Sequence, residues 1–239
     1  MKSINSFSVS VVIPALNEEK AISHVLKELK ETPNLGILEI IVVDNGSTDA
    51  TAKTASEAGA IVLHERERGY GSACLKGLER ILYSERPPEI VAFVDADYSD
   101  SPSELILLLN EFKKSNVDLA IGSRVLGKSE KGSLMPVQKF GNWLSTTLIR
   151  FFYGIAFTDL GPFRAIKLES LKKLNMQDRN FGWTVEMQVK AAKLGFNCVE
   201  VPVSYKKRIG VSKVSGTIFG SIQAGWKILY TIGKLQFTK

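Results

Sequence analysis

The chain has 239 residues, 44% hydrophobic and 23% charged, which suits one sizeable α/β domain and excludes a low-complexity or repeat protein. Cys74 and Cys198 match no metal or redox spacing and read as small core residues of a reducing compartment. The net charge of +6 belongs to the tail. No acid follows Glu200, whereas Lys206, Lys207, Arg208, Lys213, Lys227, Lys234 and Lys239 do, and taking those seven from the 31 basic residues leaves 24 against 25 acidic ones. That balance argues against a nucleic-acid partner and favours anionic phosphates or a lipid surface.

The N-terminus carries no signal-peptide core and no apolar run approaches the ~20 residues of a membrane span. The expectation is a cytoplasmic protein, peripheral to the cytoplasmic face of a membrane. The sequence does not reveal an oligomeric state.

In chain order, residues 8–13 predict a first strand, stopped by Pro14. Asn17-Glu18-Glu19 then open a helix whose Ile22, Val25, Leu26 and Leu29 form one apolar stripe. A second strand at 39–43 ends in the polar run Asp44-Asn45-Gly46-Ser47-Thr48-Asp49. Ser47 or Thr48 is expected to cap a helix over 50–58, which Gly59 closes. A short strand at 60–63 follows, then a helix led in by Gly69-Tyr70-Gly71 and running through Ile81.

Residues 90–94 (Ile-Val-Ala-Phe-Val) organise the rest: five apolar residues in a row read as a strand covered on both faces. The strand ends in two carboxylates, Asp95 and Asp97, and then a polar turn in which Asp100 or Ser101 is expected to cap the helix after Pro102. Two acids at one rim repel each other unless a cation sits between them, and Mg²⁺ or Mn²⁺ suits that place. A helix at 103–114 and a strand at 118–122, ending at Ser123-Arg124, complete this half.

Strands and helices alternate with short joins, which predicts right-handed crossovers and a Rossmann-like, mostly parallel α/β sheet with helices on both faces. Asn17, Asp44, Asp95, Asp97 and Arg124 all fall at strand C-termini, the ligand edge of such a sheet. Residues 125–137, rich in Gly and Lys, predict a mobile loop over that edge. An apolar helix at about 139–153, a turn at 158–163 entering a strand, a helix at 183–194 and a strand at 198–203 come next. The tail, residues 213–239 after a catalytic domain of 1–212, predicts a basic amphipathic helix that lies on a membrane or packs back onto the domain.

Val-Val-Ile-Pro-Ala-Leu-Asn-Glu-Glu (11–19), Val-Val-Asp-Asn-Gly-Ser-Thr-Asp (42–49) and Val-Asp-Ala-Asp (94–97) together resemble the family-2 glycosyltransferases of GT-A fold. Residues 68–73, Gly122-Ser123-Arg124, residues 159–164 and residues 208–213 resemble the branch of dolichyl-phosphate mannose synthases and bacterial polyprenyl-phosphate glycosyltransferases. The resemblance runs from about residue 8 to 215.

It implies an inverting, Mg²⁺- or Mn²⁺-dependent transfer of a hexose from a UDP- or GDP-linked sugar to a polyprenyl phosphate. Asp97 would be the principal metal ligand, with Asp95 on the ribose and supporting the metal through water. Asp44 would grip the base or ribose, and Pro14, Ala15, Asn17, Glu18 and Ala96 would line the nucleotide pocket. Gly69 and Gly71 would let the chain pass close to the nucleotide. Arg124 would help to hold the lipid phosphate, while Arg208 and Lys213 belong to a loop over the donor phosphates.

Asp159 is a general base if the acceptor is a hydroxyl, and a positioning residue if it is a phosphate. Glu186 is a second candidate base or a structural carboxylate, and Trp183 a sugar platform or a core residue. The sequence departs from the mannose synthases at Ser99, where they carry a glutamine, and at Leu160-Gly161-Pro162, where they carry Thr-Ser-Gly. A soluble hydroxyl acceptor and a catalytically silent nucleotide-sugar-binding subunit are the alternatives.

Overall fold

Strands β1 (Val9–Ala15) and β4 (Ile90–Phe93) lie side by side and parallel at the centre of the sheet, both wholly buried. Their alternate residues feed two cores, because successive strand side chains point to opposite faces. Val9, Val11 and Ile13 pack with Ile22, Val25, Leu26 and Leu29 of α1 (Ile22–Glu31) and with Leu105, Leu108 and Phe112 of α4 (Leu105–Lys114). Val12 and Phe93 face the other way, onto Cys74, Leu78 and Ile81 of α3 (Tyr70–Leu82) and onto Trp183 and Met187 of α7 (Trp183–Lys193).

The structure, a computed structural model, describes residues 7–114, 116–210 and 218–237, with the side chains of all of these except 218–224 and 237. β2 (Ile37–Asp44) runs parallel to β1, in register from Ser10↔Glu39 to Ala15↔Asp44 after a shift at Val9, and β3 (Ile61–His64) forms the edge beyond it, with α2 (Thr51–Glu57) between the two in sequence. On the other side of β4 comes β6 (Arg164–Lys167), antiparallel to both its neighbours, then β5 (Leu119–Ser129) and β7 (Cys198–Tyr205). The order is β3-β2-β1-β4-β6-β5-β7. Successive strands are added outward from β1 to β3 on one side and from β4 on the other, so a crevice opens between the parallel β1 and β4 at their C-termini. The mostly parallel α/β sheet expected from the sequence is the fold observed.

Several local expectations change. The segment 125–137 is not all loop: β5 continues to Ser129, with Lys128 and Ser129 opposite Ser204 and Tyr205 after a register shift. Gly127 makes that pairing possible, since a Cβ there would run into the backbone of Val203. The long helix begins earlier than expected, as α5 (Pro136–Tyr153), and a short helix α6 (Leu168–Leu174) follows β6.

Neither Ser47 nor Thr48 caps α2; the Thr51 amide and hydroxyl donate instead to Asp49 Oδ1. Asp100 and Ser101 make no side-chain cap for the 3₁₀ turn Pro102–Glu104. The tail forms α8 (Ile218–Phe237), which rests against α5 and α7 and buries Thr231, Ile232 and Leu235. No described helix is long and apolar enough to cross a membrane. Lys213 and the boundary at residue 212 lie outside the described residues.

Candidate active site

At the β1/β4 crevice a cavity of about 550 Å³ is lined by Pro14, Ala15, Glu18, Gly69, Asp95, Ala96, Asp97, Arg124 and Arg208. These nine come from five separate stretches of sequence, and the strand C-termini bring them together. Val137, Leu160, Pro162, Phe181 and Ile228 add apolar surface to its lining.

Asp95, Asp97 and Asp100 crowd negative charge beside the cavity. Asp95 accepts a hydrogen bond from Tyr70 Oη at 3.1 Å; burial first, then the charge of Asp97, push its carboxyl up. Asp97 Oδ1 accepts from the Ser99 amide at 2.8 Å, and its Oδ2 lies 2.8 Å from Nη2 of Arg208. The same Arg208 nitrogen reaches Glu18 Oε1 at 3.2 Å. Behind them, both side-chain oxygens of Asp100 are buried without a hydrogen-bond partner among the described residues. Burial, and next the charge of Asp95, raise the Asp100 pKa well above the usual carboxylate range.

Hard oxygen donors that crowd like charges in a dry site fit a divalent cation. Among the described residues no three His, Cys, Asp or Glu side chains make a cage of their own. Mg²⁺ needs none, since it is ordinarily held by one or two carboxylates together with substrate phosphates and water. Asp95 and Asp97 are the pair that could hold it.

Among the described residues Asn17 (φ 53°) and Tyr98 (φ 61°) are two of four non-glycine residues in the left-handed region, and both flank the cavity. The segment after β7 is tied over the carboxylates: the amides of Lys206 and Ile209 donate to the carbonyls of Ser99 and Asp97, at 2.8 and 3.0 Å.

Four of the expected residues stand behind the cavity wall. Asn17 Oδ1 accepts from the Thr48 amide at 2.8 Å, and its own amide donates to Ser47 Oγ at 2.9 Å. Asp44 accepts from the Ser47 amide and lies 3.2 Å from His64 Nδ1. Gly71 and Gly69 make room for protein backbone: a Cβ at either would strike the carbonyls of Asp178 and Arg179. Gly71→Ala is therefore expected to cost about 1–3 kcal/mol of stability, read in a urea melt, because backbone on both sides cannot yield.

Asp159 is the fourth. It is 1% exposed, and Arg124 grips both of its oxygens: Nε to Oδ2 at 2.8 Å, Nη2 to Oδ1 at 2.6 Å, with the Arg124 amide on Oδ2 at 2.8 Å. Burial works against the Arg124 charge, but these bonds outweigh it and hold the guanidinium firmly protonated. Its other face lies over the Tyr205 ring, 5.0 Å from the centroid.

Several residues were not legible beforehand. Tyr70 is one, although it sits between the two glycines already singled out. Asn45 fastens the 65–69 loop, donating to the carbonyls of Glu65 and Glu67 and accepting from the Gly69 amide. Arg164, wholly buried, donates to the carbonyls of Leu160, Gly161 and Thr184 and so fixes the turn that carries Asp159; burial lowers its pKa to about 10. Glu186 is structural here, accepting from the amides of Gln177 and Asp178 and pairing with Lys190. Trp183, 1% exposed and edge-on to Phe93, is core.

With this geometry in view, the signature of "Glycosyl transferase family 2" matches residues 10–174. An uncharacterized glycosyltransferase of Mycobacterium tuberculosis is 37% identical over 227 residues, covering 93% of this chain and 98% of the relative. The undecaprenyl-phosphate mannosyltransferase of Micrococcus luteus is 29% identical over 223 residues, 89% of each chain. A crystal structure of glucosyl-3-phosphoglycerate synthase from M. tuberculosis, in complex with Mn²⁺, UDP-glucose and phosphoglyceric acid, shares the fold with a TM-score of 0.76. That likeness covers 98% of this chain and 81% of the other at 19% identity. A matching signature over two-thirds of its length, a near full-length relative and a GT-A sheet agree: the chain belongs to glycosyl transferase family 2 and is a glycosyltransferase.

Proposed function

We propose that this glycosyltransferase moves a hexose from a UDP- or GDP-linked sugar to a polyprenyl phosphate at the cytoplasmic face of a membrane, with inversion at the anomeric carbon and with Mg²⁺ or Mn²⁺. The observation that carries the acceptor is the pairing of Asp159 with Arg124. A general base must present a lone pair to the incoming hydroxyl, whereas Asp159 is 1% exposed, stands behind the cavity wall and has both oxygens on one guanidinium. A phosphate acceptor is already ionised at neutral pH and needs no base. It needs a fixed cation, and Arg124, which Asp159 aims and holds charged, lines the cavity.

In this reading an acceptor phosphate oxygen forms the bond to the anomeric carbon while the bond to the donor's diphosphate breaks. The metal, when bound, offsets the charge that develops on the leaving diphosphate. Asp95 and Asp97 would hold it. Arg208, on the segment tied over Asp97, adds a cation beside those phosphates, and Lys213 is proposed as a second. Pro14, Ala15, Glu18, Gly69 and Ala96 form the nucleotide-facing wall, with Asn17 and Asp44 bracing the loop behind it. The apolar part of the cavity lining suits the first isoprene units of the acceptor. The printed name of the Micrococcus luteus relative supports the same class of acceptor.

Asp159→Asn tests the acceptor. Transfer to a short-chain polyprenyl phosphate should weaken by no more than about tenfold, since a lost base would cost about 10²–10⁴-fold. A loss in that larger range, with the fold intact by circular dichroism, would move the acceptor to a hydroxyl.

A further inference from the structure

Helix α3 meets the cavity through its first residue. Tyr70 stands between Gly69 and Gly71, where the absence of a Cβ lets the backbone of Asp178 and Arg179 close on the helix. The Gly71 amide donates to the carbonyl of Asn180 at 3.3 Å and the Ser72 amide to that of Arg179 at 2.9 Å, with Ser72 Oγ on the Arg179 carbonyl at 3.3 Å. Those amides are the ones a helix N-terminus would otherwise offer to a phosphate, and here protein carbonyls take them. What α3 adds to the cavity is the side chain of Tyr70. Its ring packs against the core that holds Phe93 and Trp183, and its hydroxyl donates to Asp95 Oδ1 at 3.1 Å. A phenylalanine would pack as well; only the hydroxyl reaches Asp95.

The two carboxylates at the cavity are thereby pinned alike, one oxygen each. Asp97 Oδ1 is held by the Ser99 amide at 2.8 Å and Asp95 Oδ1 by the Tyr70 hydroxyl at 3.1 Å. Among the described residues nothing hydrogen-bonds Asp95 Oδ2, and Asp95 lines the cavity. We propose that Tyr70 is a positioning residue of the transfer reaction, which fixes the side chain of Asp95 so that Oδ2 is the oxygen presented to the metal. A carboxylate left unheld can exchange its two oxygens by rotation, and ordering it at the moment of binding costs affinity. Partners that orient a ligating carboxylate beforehand are worth about 10–100-fold in metal affinity. Tyr70 suits that task because its backbone is clamped from the 178–180 side while its ring is packed in the core. The inference rests on the reading that Asp95 and Asp97 hold the metal, and it holds for either acceptor.

Mn²⁺ is titrated into the full-length protein with UDP or GDP present, and binding is read from the melting temperature. Tyr70→Phe should need about 10–100-fold more Mn²⁺ than the parent for half of the shift, yet melt near the parent without metal. Excess Mn²⁺ should return its rate of donor consumption toward the parent value, which a packing defect would not allow. Ser72→Ala loses a hydrogen bond in the same turn without touching Asp95, so its Mn²⁺ midpoint should match the parent. A parent-like midpoint for Tyr70→Phe overturns the proposal, and so does a Ser72→Ala midpoint shifted as far. Asp97→Ala distinguishes that outcome from failure of the metal site itself, and it should show no Mn²⁺-dependent shift. If Asp97→Ala binds Mn²⁺ like the parent, or the parent binds none, the metal site is refuted and the role of Tyr70 with it.

Discussion

Asp97→Ala should reduce sugar transfer by at least about a thousandfold, since metal charge stabilisation is worth several kcal/mol and each ~1.4 kcal/mol is a factor of ten. The variant should nevertheless fold. Asp97 is a like charge beside half-buried Asp95 and one of the causes that push its carboxyl up, so removing it relieves repulsion even as Arg208 loses a partner. Thermal melting separates the two effects. The parent should gain stability from its nucleotide sugar only when Mn²⁺ is present, by ~2.7 kcal/mol at a hundredfold excess over Kd. The variant should melt near the parent without ligand and show no metal-dependent gain. A variant that transfers sugar at more than about a tenth of the parent rate removes Asp97 from the metal site.

Arg124→Ala should act on stability as well as on activity. It strands a carboxylate, Asp159, that is 1% exposed, and breaking a buried pair from one side costs about 3–5 kcal/mol. Arg124→Lys keeps the charge but gives up the fork, so it should fold while losing about 1–3 kcal/mol of the bidentate interaction. In that variant the acceptor KM should rise and the donor KM should not, because Arg124 is assigned to the acceptor phosphate. A rise confined to the donor KM would assign Arg124 to the nucleotide diphosphate.

The sequence made the central sheet legible because β1, β4 and the second half of β2 are buried on both faces and therefore written as mostly apolar runs. It also located the crevice, since polar residues that follow such runs must emerge at the strand C-termini. What it concealed were contacts made across the fold. Arg124 and Asp159 are 35 residues apart, and nothing in either neighbourhood announces a bidentate pair. The far end of β5 was hidden by polar, Gly-rich composition, which marks a loop when exposed and here marks a strand packed closely on Val203. Asp100 stood where helix caps stand, yet its carboxyl is turned into a buried pocket. Arg164 broke the expectation that a fully buried position is apolar. The glycines were rightly singled out, but the close approach they permit is to the 178–179 backbone.

The most direct test incubates the full-length protein with UDP- and GDP-hexoses, Mn²⁺ and a polyprenyl phosphate in detergent, and reads the lipid fraction by mass spectrometry. The account predicts a hexosyl phosphoryl polyprenol from one donor, absent with Asp97→Ala and absent without the metal. Sugar transferred only to a soluble hydroxyl acceptor, or a lipid product that forms equally well in chelator, would contradict it.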